Sequence, residues 1–268
     1  MKQPSSQSSV MKRGQLLLKN RKGLSIQMNN AGTRIESPLR EFSDQLRHEL
    51  GQPPIQEDRN ARRKWLTASE PNRYIGWTVV ANVPMGDPFM DTAVKVLDSI
   101  RSDYQAGEWS IHPLTSLHMT VFSGQTQYDF EKTGINLREG LDRATDAVSG
   151  LVFPDVPLVV EATDFARWDE NLSLTVVPAT AELAEALAEF RDTIAEKTGF
   201  RRANHDDVRY HITFAYRLTP EDQGTQVNQD EMLKPFLEEI QALGPIRLER
   251  PIFSIFDSMV SFPPTRNM

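Results

Sequence analysis

The sequence contains no cysteine and no long apolar run. Without cysteine, the chain cannot form disulfides, use a thiolate nucleophile or hold zinc fingers and iron–sulfur clusters. No segment approaches the roughly 20 apolar residues that span a bilayer, and the N-terminus lacks the apolar stretch of a secretory signal. The motifs GxxxxGK[ST] and GxGxxG are also missing, so triphosphatase and dinucleotide-dependent redox functions have no support. We therefore expect a cytoplasmic protein with no membrane partner.

Acidic residues are missing from the first 35 positions, although the chain as a whole carries a net charge of −7. Seven basic residues lie in that segment: Lys2, Lys12, Arg13, Lys19, Arg21, Lys22 and Arg34. This composition is typical of a disordered basic tail, with an organelle transit segment as the alternative. The remaining body has a net charge of −14. An acidic body lacks the basic surface that binds extended duplex nucleic acid, but it can still hold a small phosphate at a local site.

The rest of the chain divides into an extension over 36–73 and a main domain over 74–268. In the main domain, β-branched and apolar stretches predict strands near 74–81 and 117–122, each followed by a helical pattern. The same strand–helix–strand–helix order recurs after residue 150. The duplication predicts an α+β fold with two lobes, roughly 74–150 and 151–268. We expect two antiparallel sheets facing a central cleft, with the helices outside.

Two of the five histidines are followed by threonine two positions later, and both pairs occupy the same slot of the duplicated order. They are His118-x-Thr120 and His211-x-Thr213. Because side chains alternate along a strand, each strand packs with one face and presents an imidazole and a hydroxyl on the other. The same alternation places Phe122 beside the first pair.

This arrangement suits hydrolysis of a phosphate ester. An attacking water must lose a proton while the leaving oxygen gains one, and two histidines can supply both steps near neutral pH. The threonine hydroxyls can donate to the non-bridging phosphate oxygens. We therefore predict His118 and His211 as catalytic residues and Thr120 and Thr213 as phosphate-binding residues. On the same reasoning, Arg209 and Phe122 are candidate substrate-binding residues.

Metal chemistry is not expected. His205-Asp206-Asp207 contains suitable ligand types, but three adjacent side chains do not easily converge on one ion. The sequence therefore predicts neither a metal nor another cofactor.

The two motifs resemble the paired signatures of the 2H phosphoesterase superfamily. These are Ser116-Leu117-His118-Met119-Thr120-Val121-Phe122 and Arg209-Tyr210-His211-Ile212-Thr213-Phe214. That superfamily includes 2′,3′-cyclic nucleotide phosphodiesterases and LigT-like RNA 2′,5′ ligase/phosphoesterases. The resemblance covers roughly 74–261. It implies a two-lobed α+β fold, a metal-free mechanism and a site between the lobes, in an uncharacterised branch of the superfamily.

Three functions remain open at this level. The first is hydrolysis of a ribose 2′,3′-cyclic phosphate on a small nucleotide or an RNA end, as in RNA processing. The second is cleavage of a 2′,5′-linked or terminal phosphodiester, or an RNA ligase-like reaction. The third is a module that binds a nucleotide without turning it over. We expect a monomer, and a bell-shaped pH–rate profile insensitive to EDTA would favour either enzyme.

Overall fold

The computed structural model describes residues 64–102, 109–168, 171–218 and 223–268. All of them belong to one compact unit, Glu57–Met268. The predicted basic tail over 1–35 lies outside the described residues, as does the predicted extension except for 64–73. Among the described helices, none is long and apolar enough to cross a membrane.

The first half of the described chain alternates strands and helices. Its strands are β1 (Gly76–Asn82), β2 (Trp109–Ile111) and β3 (His118–Thr126). Its helices are α1 (Phe89–Ser102), α2 (Gln127–Thr133) and α3 (Leu137–Ala147), with a 3-10 turn at Leu114–Ser116.

The second half repeats the alternation and adds short strands at its end. Its strands are β4 (Val159–Trp168), β5 (Asn171–Pro178), β6 (His211–Arg217), β7 (Ile246–Arg247), β8 (Ile252–Phe256) and β9 (Arg266–Asn267). Its helices are α4 (Ala181–Thr198) and α5 (Gln223–Leu243).

Capping residues set the ends of these helices. The Asp87 carboxylate accepts a hydrogen bond from the Phe89 amide (2.9 Å) at the start of α1, and Asn136 and Thr180 cap α3 and α4 in the same way. Helix α4 ends at Gly199, whose φ of 65° is the left-handed conformation that glycine tolerates best. These side chains are polar groups next to apolar periodic stretches, which is why the sequence indicates the helices well.

The strands form one antiparallel sheet with the order β7-β4-β5-β6-β3-β1-β8-β9, and β2 also pairs with β6. The predicted α+β class with antiparallel strands is confirmed. The number of sheets differs from the prediction, because β6 pairs with both β3 (Met119–Ile212) and β2, which joins the two halves into one nine-stranded sheet of the described residues. The two motif strands are therefore direct neighbours.

The chain returns to its first half near the C-terminus. Strand β8 pairs with β1 along five residues, from Gly76–Phe256 to Val80–Ile252. Phe253 is fully buried there and its ring lies 5.8 Å from that of Trp77. The sequence division at residue 150 places β8 with the second lobe, whereas its apolar side chains pack in the first half of the sheet.

One face of the motif strands carries the core. Met119, Val121, Ile212 and Phe214 have no exposed surface. Their motif neighbours point away from that core and remain partly exposed. The core thus holds the two strands in place, and the alternate residues, which include the motif histidines and threonines, face a cavity.

Candidate active site

A cavity of about 920 Å³ lies over the junction of the two halves, and both motifs line it. His118 and Thr120 reach it from β3, and His211 and Thr213 reach it from β6. All four motif residues predicted to act in catalysis or phosphate binding therefore line the same cavity, because β3 and β6 are adjacent and antiparallel. A cavity of this size can accommodate a nucleotide-sized ligand.

The two histidine rings are held by the same local contact. His118 Nδ1 lies 2.6 Å from the carbonyl oxygen of Ser116, and His211 Nδ1 lies 3.0 Å from that of Arg209. A carbonyl can only accept, so each Nδ1 carries the hydrogen and donates it. In the neutral form of each ring, Nε2 is then the atom that takes up a proton. Each histidine is thus oriented as a potential base through the backbone two residues before it.

The two motif strands also share a β-bulge at the same position. On β3, Thr120 pairs with Val80 and Phe122 pairs with Val79, so Val121 is the extra residue. On β6, the extra residue is Phe214, directly after Thr213. A bulge interrupts the alternation of side chains and re-aims the strand. It falls one residue beyond the threonine in both halves, which leaves each histidine and threonine in regular alternation.

Burial sets the protonation of the histidine pair. Loss of water lowers the pKa of His118 to about 4; the Ser116 carbonyl opposes this shift, and the charges of His211 and Lys64 add to it. Burial also lowers the pKa of His211, again against the carbonyl of Arg209 and with the charge of Lys64. Both rings are therefore mainly neutral at pH 7. A bound anion would favour the protonated form of either ring.

The hydroxyl of Thr213 has a partner within the sheet. Its Oγ1 lies 3.0 Å from Oγ of Ser173, a fully buried residue that pairs with it across β5 and β6. The residue at the matching position beside Thr120 is Val80, which offers no hydroxyl. The two motif threonines are thus held differently, although both line the cavity.

The two predicted substrate-binding residues have different settings. Arg209 is exposed and lines the cavity next to the second motif. Phe122 also borders the cavity, but only 2% of it is exposed and its ring stacks on Trp77 at 5.5 Å. Arg209 is therefore available to an anion at the cavity surface, whereas Phe122 forms part of the packed wall.

Two residues near the motifs carry no sequence signal. The ring of Phe262 lies 4.3 Å from that of His118 and covers one side of the imidazole. Lys64 lies in the same cavity and donates a hydrogen bond to the Tyr216 hydroxyl (3.0 Å). Phe262 and Lys64 stand 144 and 54 positions from His118 along the chain, so only the tertiary fold brings them together.

A third histidine, His112, sits in the cavity wall. Ser116 donates its hydroxyl to the Pro113 carbonyl (2.8 Å), so His112 Nδ1 must donate to Ser116 Oγ (3.2 Å). Its Nε2 is then a buried acceptor with no partner among the described residues. Burial, together with the charges of His118 and Lys64, lowers the pKa of His112 to about 3. This histidine therefore stays neutral throughout the physiological range.

The cluster of possible metal ligands near the second motif differs by one residue from the His205-Asp206-Asp207 set considered in the sequence. Asp192, His205 and Asp206 bring ligand atoms within 4.8 Å of one another, so Asp192 of α4 takes the place considered for Asp207. Arg201 contacts the carboxylates of Asp192 and Asp206, and His205 Nε2 lies 2.9 Å from Asp192. One guanidinium thus pairs with both carboxylates of the cluster, and the expectation of no metal site stays a prediction.

Cations predominate among the charged residues that line the cavity. They are Lys64, Arg191, Arg202 and Arg209, against the single carboxylate of Asp207. Arg202 is bound by both oxygens of Asp129 (2.8 and 3.1 Å) and by the Gly124 carbonyl. The excess of positive charge over an acidic body favours an anionic ligand at this position.

Comparisons with known proteins agree with this description. Residues 64–138 match the family model described as "2H-phosphodiest: Domain of unknown function (DUF1868)", which confirms the predicted resemblance to the 2H phosphoesterases and supports a phosphodiesterase-type function. The matched segment contains the first motif and ends before the second. No curated protein matches the chain in sequence.

The chain is also similar to solved structures. A conserved protein of unknown function from Agrobacterium tumefaciens aligns with a TM-score of 0.68 at 22% identity, over 87% of this chain and 99% of that one. This likeness shows a shared fold. TT0787 of Thermus thermophilus aligns at 14% identity over 71% of this chain and 100% of that one, with a TM-score of 0.38. Apo LigT of Escherichia coli aligns at 13% identity over 57% and 77%, with a TM-score of 0.34.

Proposed function

We propose that this chain, whose first motif lies in a segment matching a 2H-phosphodiesterase family model, is a metal-independent phosphoesterase that opens a ribose 2′,3′-cyclic phosphate. The observation that carries the proposal is the matched pair of rings. His118 and His211 line one cavity, and each donates from Nδ1 to the carbonyl two residues earlier. A module that only binds a nucleotide has no need of two imidazoles oriented in the same way.

Their surroundings favour different roles for the two histidines. His118 is covered by Phe262 and has a pKa near 4, so it is the stronger candidate for the neutral base that accepts a proton from water at Nε2. His211 is then the acid, protonated once the substrate anion is bound. It gives its proton to the leaving ribose oxygen as the bond from that oxygen to phosphorus breaks. Water supplies the hydroxyl that remains on phosphorus.

The threonines and the nearby cations complete the proposed site. Thr120 and Thr213 donate their hydroxyls to the non-bridging oxygens, where negative charge grows in the transition state. Arg209, at the cavity surface, suits a more distant part of an anionic substrate, such as a 5′ phosphate. The substrate class is therefore a small nucleotide or an RNA end, which enters the cavity without a duplex.

The test uses purified protein with a 2′,3′-cyclic mononucleotide in EDTA, beside His118→Ala and His211→Ala. We expect the wild type to open the ring and each variant to lose about 10²–10⁴-fold in rate. His48→Ala is the matched control, since it removes a histidine that precedes no motif threonine. A rate that needs an added divalent ion, or that survives in both variants, would contradict the proposal.

A second substrate class follows from the same geometry. The acid–base pair acts on a phosphorus between two ribose oxygens, and that requirement is also met by a 2′,5′-linked dinucleotide. The cavity of about 920 Å³ leaves room for a second nucleoside. Parallel assays with 2′,5′- and 3′,5′-linked dinucleotides decide between this substrate class and the cyclic phosphate. Faster turnover of the 2′,5′ linkage than of the cyclic phosphate would assign the oligonucleotide reaction instead.

A further inference from the structure

The position of Lys64 is fixed by the backbone around it. The Lys64 carbonyl accepts a hydrogen bond from the Asn72 amide (2.9 Å), and Trp65 forms a β-bridge with Pro71. Trp65 is 2% exposed and packs edge-on against His112, with ring centroids 5.9 Å apart. The buried indole therefore anchors the segment, and Lys64 enters the cavity from an ordered backbone.

The ammonium of Lys64 lies between aromatic rings in the cavity. Its Nζ donates to the Tyr216 hydroxyl at 3.0 Å and lies 4.4 Å from the centre of that ring. The ring of Tyr74 is 5.7 Å away. An ammonium carries three N–H donors, so the bond to Tyr216 is compatible with a further bond to an anion. Tyr216 stands on β6, the strand that also carries His211.

Two other cations of the cavity, Arg202 and Arg191, like Lys64 itself, form hydrogen bonds within the protein. Arg202 is bound by Asp129, and Arg191 donates to the His205 carbonyl at 2.6 Å. Lys64 differs because its charge reaches the motifs themselves, since it lowers the pKa of both His118 and His211. A cation within electrostatic reach of both rings is well placed to act on an anion that lies between them.

We propose that Lys64 binds the substrate phosphate between the two motif histidines and offsets its charge in the transition state. The inference rests on the proposed function only in naming the anion as a phosphate. In this proposal Lys64 acts only as a charge and a hydrogen-bond donor, so the acid and base steps stay with the histidines. The segment before β1 would thus contribute a substrate-binding residue that neither motif contains.

The test measures binding of inorganic phosphate to the full chain, by isothermal titration calorimetry in EDTA. Lys64→Ala should weaken phosphate binding by about tenfold or more, because a charge-assisted hydrogen bond is lost. Lys64→Arg should recover part of that affinity, since the charge is kept. Lys95→Ala is the matched control: Lys95 pairs with Glu239 and does not line the cavity, so binding should change by less than about twofold.

The kinetic readout separates binding from folding. On a 2′,3′-cyclic mononucleotide, Lys64→Ala should raise KM and lower kcat. Thermal unfolding of the same variant should remain cooperative, which would show that the protein still folds. Phosphate affinity equal to wild type in Lys64→Ala would overturn the inference even if the enzyme turns over. Phosphate binding that depends on Lys64 in a protein without hydrolase activity would sustain it, while the proposed function would fail.

Discussion

The two motif strands are alike in backbone and different in surroundings. Both carry the bulge one residue beyond the threonine, and both fix the histidine through the carbonyl two residues earlier. However, Phe262 covers His118, and Ser173 holds Thr213 where Val80 stands beside Thr120. The duplicated backbone therefore positions two equivalent groups, and the non-equivalent neighbours give them different chemical properties. A pair of identical histidines in identical settings could not divide acid and base roles so readily.

The largest effect should come from changing the leaving group in histidine variants. A nitrophenolate leaves without a proton, so a nitrophenyl nucleotide diester needs the base but not the acid. Replacing His211 should then cost little on that substrate, while replacing His118 should still cost about 10²-fold or more. The measurement is kcat/KM for both Ala variants on the cyclic and nitrophenyl substrates. Equal losses of kcat/KM for both variants on both substrates would contradict the division of acid and base roles between His211 and His118.

Substitution of the motif threonines should have a smaller effect on the rate than substitution of the histidines. Thr120→Val and Thr213→Val keep the shape of the side chain but remove a donor to the phosphate, which should lower kcat by about 10–10³-fold. Ser173→Ala leaves Thr213 in place without its 3.0 Å partner, so we expect a loss of a few-fold at most.

Steady-state kinetics on one substrate ranks these three variants. Val80→Thr is the reciprocal change, because it places a hydroxyl beside Thr120. A Ser173→Ala variant as slow as Thr213→Val would show that the serine acts on the substrate directly.

Acid should destabilise the fold through two histidines of the cavity, His112 and His118. The pKa of His112 is lowered to about 3 and that of His118 to about 4, so the unfolded chain takes up protons first as the pH falls below the ordinary value of 6.5. Stability is therefore complete above pH 6.5 and is lost as the pH falls towards 4. The slope is roughly 1.4 kcal/mol per pH unit for each histidine.

Urea unfolding at several pH values measures that slope. His112→Asn should remove the contribution of one histidine, about 1.4 kcal/mol per pH unit, from the pH dependence of the free energy of unfolding. The substitution should leave the two motifs in place. The His48→Ala variant serves as the control, and a slope that is unchanged in His112→Asn would show that this residue does not remain neutral in the folded protein.

The smallest effect should come from the ion pair between the two halves. Arg202, in the segment before β6, contacts both oxygens of Asp129 in α2 and also the Gly124 carbonyl. Partial burial alone would raise the pKa of Asp129, but the hydrogen bonds from Arg202 and Thr126 outweigh it and the pKa is lowered. Arg202→Met should reduce the free energy of unfolding by about 1–2 kcal/mol. Arg138→Met, which breaks an exposed pair with Asp142, should change it by less than about 0.5 kcal/mol.

The sequence predicts the backbone of the site better than its environment. Strand alternation and the duplicated order place His118 and His211 in matching strands, because that pattern is written in consecutive residues. The joining of the two halves into one sheet depends on pairs such as Met119–Ile212 and Trp109–Arg217, 93 and 108 positions apart, and no local pattern encodes those contacts.

The same limit applies to the residues around the motifs. Lys64 and Phe262 belong to segments without periodicity, so only the fold reveals that they line the same cavity as the histidines. Alternation also predicts Phe122 on the open face, but the bulge at Val121 falls just before it and its ring packs on Trp77. Bulges are set by the partner strand, and the sequence of one strand does not show them.

The pH dependence of kcat/KM on a 2′,3′-cyclic mononucleotide in EDTA tests the central claim most directly. The neutral base requires the rate to rise through a pKa near 4, and the protonated acid requires it to fall above the lowered pKa of His211. We predict a bell with its maximum between about pH 4 and 6.5, and the loss of one limb when either histidine is replaced. A profile without a bell, or activity that returns only with an added metal ion, would contradict acid–base catalysis by this pair.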